Sequence, residues 1–187
     1  MNEFSTYEFV VRQRTEGKWL LARIAMVTLY VCFVLAWLAF GFNSIGVPLL
    51  ALIPVTTWML VFFTWRYVAV EYEYSITSGE LTFSKIYGNR SRRTCLKIKL
   101  RDAVRIAPLA SEEEAKRATE YRPEREFSAI SSLRAPDVYF MLFEFSGKGG
   151  ERSEKRRAIF YFEATQKALQ ICRFYNPSST VLTKVSR

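Results

Sequence analysis

A chain of 187 residues with a formal charge of +9 is long enough for one domain and an anchor, and its lack of histidine removes the usual general base and the commonest transition-metal ligand. Three cysteines without close spacing, Cys32, Cys95 and Cys172, argue against a disulfide framework and a thiolate metal site. No cofactor, metal site or enzymatic activity is expected, and the basic surplus after Arg66, 22 Lys and Arg against 15 Asp and Glu, suits anionic lipid, nucleic acid or an acidic partner.

In chain order, residues 20–42 carry one charge, Arg23, and residues 47–65 carry none. Each run supplies the roughly 20 residues that cross ~30 Å of hydrocarbon. Two soluble helices of this character would need a larger core than the rest of the chain provides. Spans at about 20–42 and 47–66 are therefore expected, antiparallel because the connector of residues 43–46 is so short. Pro48 fits the first turn of the second helix, and Pro54 predicts a bend deeper in it. Arg12, Arg14, Lys18 and Arg23 lie at the start of the first span and Arg66 after the second, whereas the connector has no Lys or Arg. That asymmetry predicts a multi-pass plasma-membrane protein with two spans and both termini cytoplasmic. Trp19, Trp65 and Tyr67 then become inner-interface anchors, and Arg23 and Arg66 snorkel to the same headgroups. A cleaved signal peptide fits less well, because the first run exceeds an ordinary h-region and a second span follows at once.

After the second span the hydrophobic period becomes two. Val68, Val70, Tyr72, Tyr74 and Ile76 predict a strand, Thr77 to Glu80 a turn, and Leu81, Phe83 and Tyr87 the return strand. A second turn with Gly88 and Asn89 leads to a strand with Leu96, Ile98 and Leu100, and residues 104–107 form a short fourth. Ser111 with Glu114 makes a capping-box pattern, so a short exposed helix is expected before Pro123, with Glu112–Lys116 and Glu113–Arg117 pairs. Residues 122–135 read as a mobile excursion. A central strand at 138–145 pairs with one at 158–163 across the loop 146–157. Thr165 caps a final helix that ends at Asn176, and the tail beyond Ser178 reads as frayed. Domain boundaries are placed at 1–67 for the N-terminal segment and hairpin and 68–187 for the cytoplasmic domain, with a charged helical insert at 111–135.

Antiparallel strands closed by one C-terminal amphipathic helix are the order of a pleckstrin-homology-like domain. Through residues 68–81 and 160–177 the chain resembles bacterial membrane proteins in which a two-helix anchor precedes such a domain, in particular an uncharacterised family of about this length. The resemblance implies a membrane α-helical hairpin plus an α+β domain, an antiparallel PH-like β-barrel or sheet capped by a C-terminal helix. Such folds host many unrelated roles, so the likeness carries fold better than activity.

The candidate sites are basic. If the first strand rises directly from the bilayer, the second descends, and the turn with Arg90, Arg92 and Arg93 returns to the headgroups; a solvated hairpin tip is the plainer reading. A second basic loop holds Lys148, Arg152, Lys155, Arg156 and Arg157 among Gly147, Gly149 and Gly150, but it lacks the Walker spacing and the helix that should follow. No nucleic acid is expected, since the aromatic residues alternate at core spacing. Glu112, Glu113 and Glu114 read as a solvated helix start rather than a cation site. The expected function is a membrane-anchored, non-enzymatic interaction module for a protein segment or the anionic inner leaflet, with the groove beside the final helix able to accept a peptide. The alternative is an accessory subunit of a transport or envelope-maintenance complex acting through its helices. Oligomeric state stays open, there being no GxxxG motif.

Overall fold

The structure is a computed structural model that describes residues 6–41, 47–88, 90–132, 135–146 and 155–186. It divides into two compact units, one holding the described residues within 1–13, 72–85 and 92–187, the other those within 14–71 and 86–91.

The second unit contains α1 (Lys18–Gly41), a 3₁₀ segment (Val47–Leu52), α2 (Ile53–Thr64) and a closing 3₁₀ turn (Trp65–Tyr67). At about 1.5 Å per α-helical and 2.0 Å per 3₁₀ residue, each arm is about 36 Å long. Both are apolar enough to cross a bilayer, and only 6% of the first candidate span and 0% of the second is buried. Leu21, Phe40, Trp58 and Phe63 are exposed, so neither helix is buried in a core of this chain. A polar contact joins the arms. Thr64 donates to the Leu60 carbonyl at 2.5 Å, so its oxygen is left to accept from the Tyr30 hydroxyl at 2.6 Å. The disturbance expected at Pro54 takes the form of a change of helical type: 3₁₀ geometry runs to Leu52, and α2 begins with Pro54 in its first turn. The connector at 43–46 lies outside the described residues.

The strands are β1 (Thr6–Arg12), β2 (Val70–Thr77), β3 (Glu80–Tyr87), β4 (Ser91–Lys99), β5 (Ala103–Pro108), β6 (Arg125–Ala129), β7 (Val138–Ser146) and β8 (Lys155–Glu163), with helices α3 (Glu112–Glu120) and α4 (Gln166–Tyr175). Among the described residues they form two four-stranded sheets, ordered β1-β2-β3-β4 and β5-β7-β8-β6, and not one closed barrel. In the second sheet β7 pairs antiparallel with β5 and β8, whereas β6 runs parallel to β8. Aromatic contacts join the sheets, with Phe83 of β3 5.1 Å from Phe160 of β8 and Tyr74 of β2 5.6 Å from Phe162, ring centre to ring centre. All four rings are fully buried, as are Ile76, Leu81, Phe140 and Met141. Alternation puts all of these but Phe140 on one face of each strand, and burying that shared face is what holds the sheets together; Phe140 lies on the other face of β7, packed with Ala107, Ala118, Leu142 and Ile159.

Several expectations change. The N-terminal segment grouped with the hairpin at 1–67 contains a strand: β1 adds to the edge of β2, with the ring centres of Tyr7 and Phe9 6.4 and 5.6 Å from that of Tyr74. Residues 122–135 include β6, matched to β8 from Arg125 opposite Ala158 to Ala129 opposite Phe162. The 111–135 insert is thus partly sheet. Ser111 makes no side-chain cap, because the Glu114 carboxylate is held instead by Arg105 of β5 at 2.5 and 3.1 Å. Arg117 also approaches Glu114, at 3.4 Å, and Glu114 is buried, so α3 is docked rather than simply exposed. The tail is not frayed. Ile106 of β5 donates to the Ser179 carbonyl and accepts from Val181, each at 2.8 Å, which covers the edge of the second sheet. The cap expected at the last helix is present, with Thr165 accepting from the Ala168 amide at 3.3 Å.

Candidate functional site

The end of α2 and the β3–β4 turn build one site within a single unit. Directly after the helix, the Val68 and Ala69 amides both donate to the Trp65 carbonyl, turning the chain toward β2. The Ala69 carbonyl then accepts from the Gly88 amide at 2.8 Å. Gly88 has φ +57°, and a β-carbon there would stand 2.8 Å from Arg66 Cβ, so conformation and space both require glycine. This contact fixes the turn against the helix end.

Two residues later, the Arg90 guanidinium lies 3.6 Å from the ring centre of Phe62. Phe62 and Arg66 are four apart and share a helix face. Arg66 turns to Tyr67, donating to its hydroxyl at 2.8 Å with the guanidinium 4.8 Å from the ring centre. Arg90, Trp65 and Tyr67 are exposed and Arg66 half-buried. The result is a cationic and aromatic patch at one end of an apolar helix.

The other predicted members go elsewhere. Arg92 donates to Glu73 at 2.6 Å, and Glu73 has only 6% of its side chain exposed, so Arg92 neutralises a carboxylate of the domain. Arg93 is exposed on β4. At the start of α1, Trp19 is half-buried and Arg23 donates to Thr15 at 2.5 Å. Of the second basic loop, Lys148 and Arg152 lie outside the described residues, and Lys155, Arg156 and Arg157 are strand residues at the start of β8, opposite Ser146, Phe145 and Glu144. Arg156 comes to 3.9 Å from Glu124, and Arg157 donates to the Tyr121 carbonyl at 3.3 Å. These cations brace the domain's own segments. Sequence reasoning passed over Phe62, Glu73 and Tyr30; each takes part in a pairing between segments that no local spacing encodes.

Among the described residues no group of three His, Cys, Asp or Glu could hold a metal ion. Burial pushes the Cys172 thiol up to about 12, so it stays protonated and unreactive at neutral pH. Burial also raises Tyr74, whose hydroxyl donates to the Glu163 carbonyl at 2.8 Å.

The family described as bacterial PH-like domain (DUF6106) matches residues 3–182. The chain belongs to this family. The PH-like match takes in β1, both apolar helices, both sheets and α4, so the hairpin lies within the family's matched span. No curated protein and no solved structure matches the chain. PH-like domains are as a class interaction modules and generally non-enzymatic.

Proposed function

We propose that this PH-like protein is a membrane-anchored, non-enzymatic interaction module whose two apolar helices cross the plasma membrane as a hairpin, with both termini cytoplasmic. The observation that carries the reading is the pairing of β1 with β2 in one sheet, although both apolar helices lie between them in sequence. Strands that pair are on the same side of a bilayer, so an even number of crossings must separate them. The exposure of both helices supports the same reading, since apolar side chains contribute about 0.3–0.6 kcal/mol each at the centre of a span. The ten or so Leu, Ile, Phe and Val side chains of each span contribute on the order of 3–6 kcal/mol per span.

The site at the end of α2 is then a headgroup contact in which Arg90 and Arg66 meet anionic lipid while Trp65 and Tyr67 lie at the interface. Each cation near the surface contributes about 1 kcal/mol, far less than the spans, so the helices anchor and the turn orients. The cytoplasmic domain is left to bind its partner.

Alkaline carbonate extraction combined with protease accessibility in sealed vesicles tests this. The protein should remain in the membrane pellet, and the chain beyond residue 67 should be cleaved only in inside-out vesicles. Release by carbonate, or cleavage of that part from the outer face of sealed cells, overturns the reading.

A second reading, an accessory subunit of a membrane complex that acts through its helices, draws on one observation: a hollow of about 350 Å³ on α1 lined by Phe33, Ala36, Trp37 and Phe40. Replacing both helices with an unrelated hairpin while keeping β1 and β2 separates the two. Partners retained support the domain as the working part, and partners lost support the helices.

A further inference from the structure

We infer that the cavity between the β2–β3 turn and the last turn of α4 binds a soluble peptide segment carrying a carboxylate next to an apolar side chain. The inference rests on the interaction-module reading and adds a site and a ligand class to it. The cavity measures about 380 Å³ and is lined by Ser78, Glu80, Lys99, Arg101, Phe174 and Tyr175, among others. That is the lower end of the range of small-ligand sites and holds one or two side chains, not a helix.

Its walls are fixed before any ligand arrives. Ser78 and Gly79 have φ of 51° and 80°, the paired left-handed conformations of a two-residue hairpin turn. A β-carbon at Gly79 would stand 2.7 Å from the ring of Tyr175, so the turn and the end of α4 are in direct contact. The Leu100 amide donates to the Gly79 carbonyl at 2.8 Å, and Asn176 donates from its side chain to the carbonyls of Leu100 and Ala103 at 3.1 and 2.8 Å. Turn, β4 end and helix end are thereby tied together, which lowers the ordering cost of binding.

The chemistry of the lining selects the ligand. The side chains of Lys99 and Arg101 are exposed and, among the described residues, make no hydrogen bond or ion pair. Glu80 also faces the cavity and is only loosely offset by Lys97 at 3.8 Å, so the lining carries two cations and one carboxylate, a net +1. A single carboxylate matches that balance and the fork of an arginine. A polyphosphate headgroup carries several negative charges and would meet Glu80 with repulsion. Phe174, 64% exposed and 5.1 Å from Tyr175 in edge-to-face contact, supplies the apolar wall. A purely inorganic anion would leave that wall unused.

The test uses the full-length protein in phosphatidylcholine nanodiscs, whose zero net charge silences the headgroup contact, with amide chemical shifts as the readout. The probes are end-capped Leu-Glu-Leu, the same peptide with Gln for Glu, and inositol hexakisphosphate. The Glu peptide should shift the amides of residues 77–80, 99–101 and 174–175 saturably. Affinity should fall at least tenfold for the Gln peptide and for the Lys99→Gln/Arg101→Gln variant, and severalfold for Phe174→Ser, with amides elsewhere unmoved to show that the variants fold. Arg90→Gln should bind as the parent does. Absence of saturable shifts, equal response to the Gln peptide, tighter binding of inositol hexakisphosphate, or perturbation of the same amides by phosphatidylglycerol nanodiscs without peptide each overturns the inference. A chain that washes off in carbonate yet binds the Glu peptide refutes the anchor alone; one that stays and does not bind refutes the cavity alone.

Discussion

Arg90 and Phe62 are 28 residues apart in sequence, yet the guanidinium of one lies 3.6 Å from the ring centre of the other. An exposed cation–π contact contributes about 0.5–1 kcal/mol, enough to bias where the side chain lies but not to hold the turn alone. Lipid should add to it. In phosphatidylglycerol nanodiscs, amide exchange in residues 86–91 should be slower than in phosphatidylcholine. Arg90→Gln should remove most of that difference, and raising the salt concentration should weaken it. Equal exchange in the two lipids would dismiss the headgroup contact.

Gly88→Ala should loosen the same turn without touching a charge. The left-handed φ of Gly88 and its 2.8 Å clearance from Arg66 Cβ act together, so the expected destabilisation is about 1–3 kcal/mol. It should appear as faster exchange in residues 86–91 and a lower unfolding midpoint. An alanine variant as stable as the parent would mean that the turn does not rest on the helix end.

Acid should release α3 from β5. The hydrogen bonds from Arg105 hold the Glu114 carboxyl below its ordinary value of 4.5 despite the opposing effect of burial. A group whose folded pKa is lowered contributes stability above its unfolded pKa and loses it as pH falls through the folded value. Protection of residues 112–120 should therefore be constant from pH 7 to about 5 and decline below the ordinary carboxylate range. Glu114→Gln should already be weakened at pH 7, by on the order of 2 kcal/mol, and should show a flatter acid profile. Parallel profiles for the two proteins would exclude the pair as the cause.

Removing residues 179–187 should cost more than a disordered tail would. It deletes the two backbone hydrogen bonds to Ile106 and the contact between Tyr139 and Thr183, about 2–4 kcal/mol in sum, and uncovers the edge of β5. A lower denaturation midpoint and concentration-dependent self-association are expected. A truncated protein with the parent's midpoint would show that the tail is dispensable.

The sequence revealed those parts whose pattern is local. The apolar helices, the switch to alternation at Val68, the turn at Ser78 and Gly79, and the Thr165 cap all follow from residues near one another. The descent of Arg90 to the helix end could be inferred by counting strands. β6 could not, because only Phe127 and Ala129 turn toward protein and its place is set by a parallel partner thirty-three residues away at Ala158. β1 carried a usable signal in Tyr7, Phe9 and Val11, but seven residues just before a long apolar run fall naturally into the 1–67 grouping with the hairpin, and the strand's partner lies beyond both helices. Glu114 shows two rules in conflict: the capping-box spacing is local, and the bidentate pairing with Arg105 from another strand outweighs it. Arg92 is a similar case, since its partner Glu73 lies across the sheet where no local spacing points to it.

The pairing of β1 with β2 also sets an order of assembly. Arg12 and Val70 are separated by 57 residues, so at roughly 5–20 residues per second the ribosome delivers the partner about 3–11 s after the first strand is complete. Through that interval the nascent edge waits while both greasy segments leave the tunnel, and the sheet closes only once the chain has doubled back. Under the proposed two-span reading, biogenesis of the cytoplasmic half is thereby made contingent on the hairpin having been placed first.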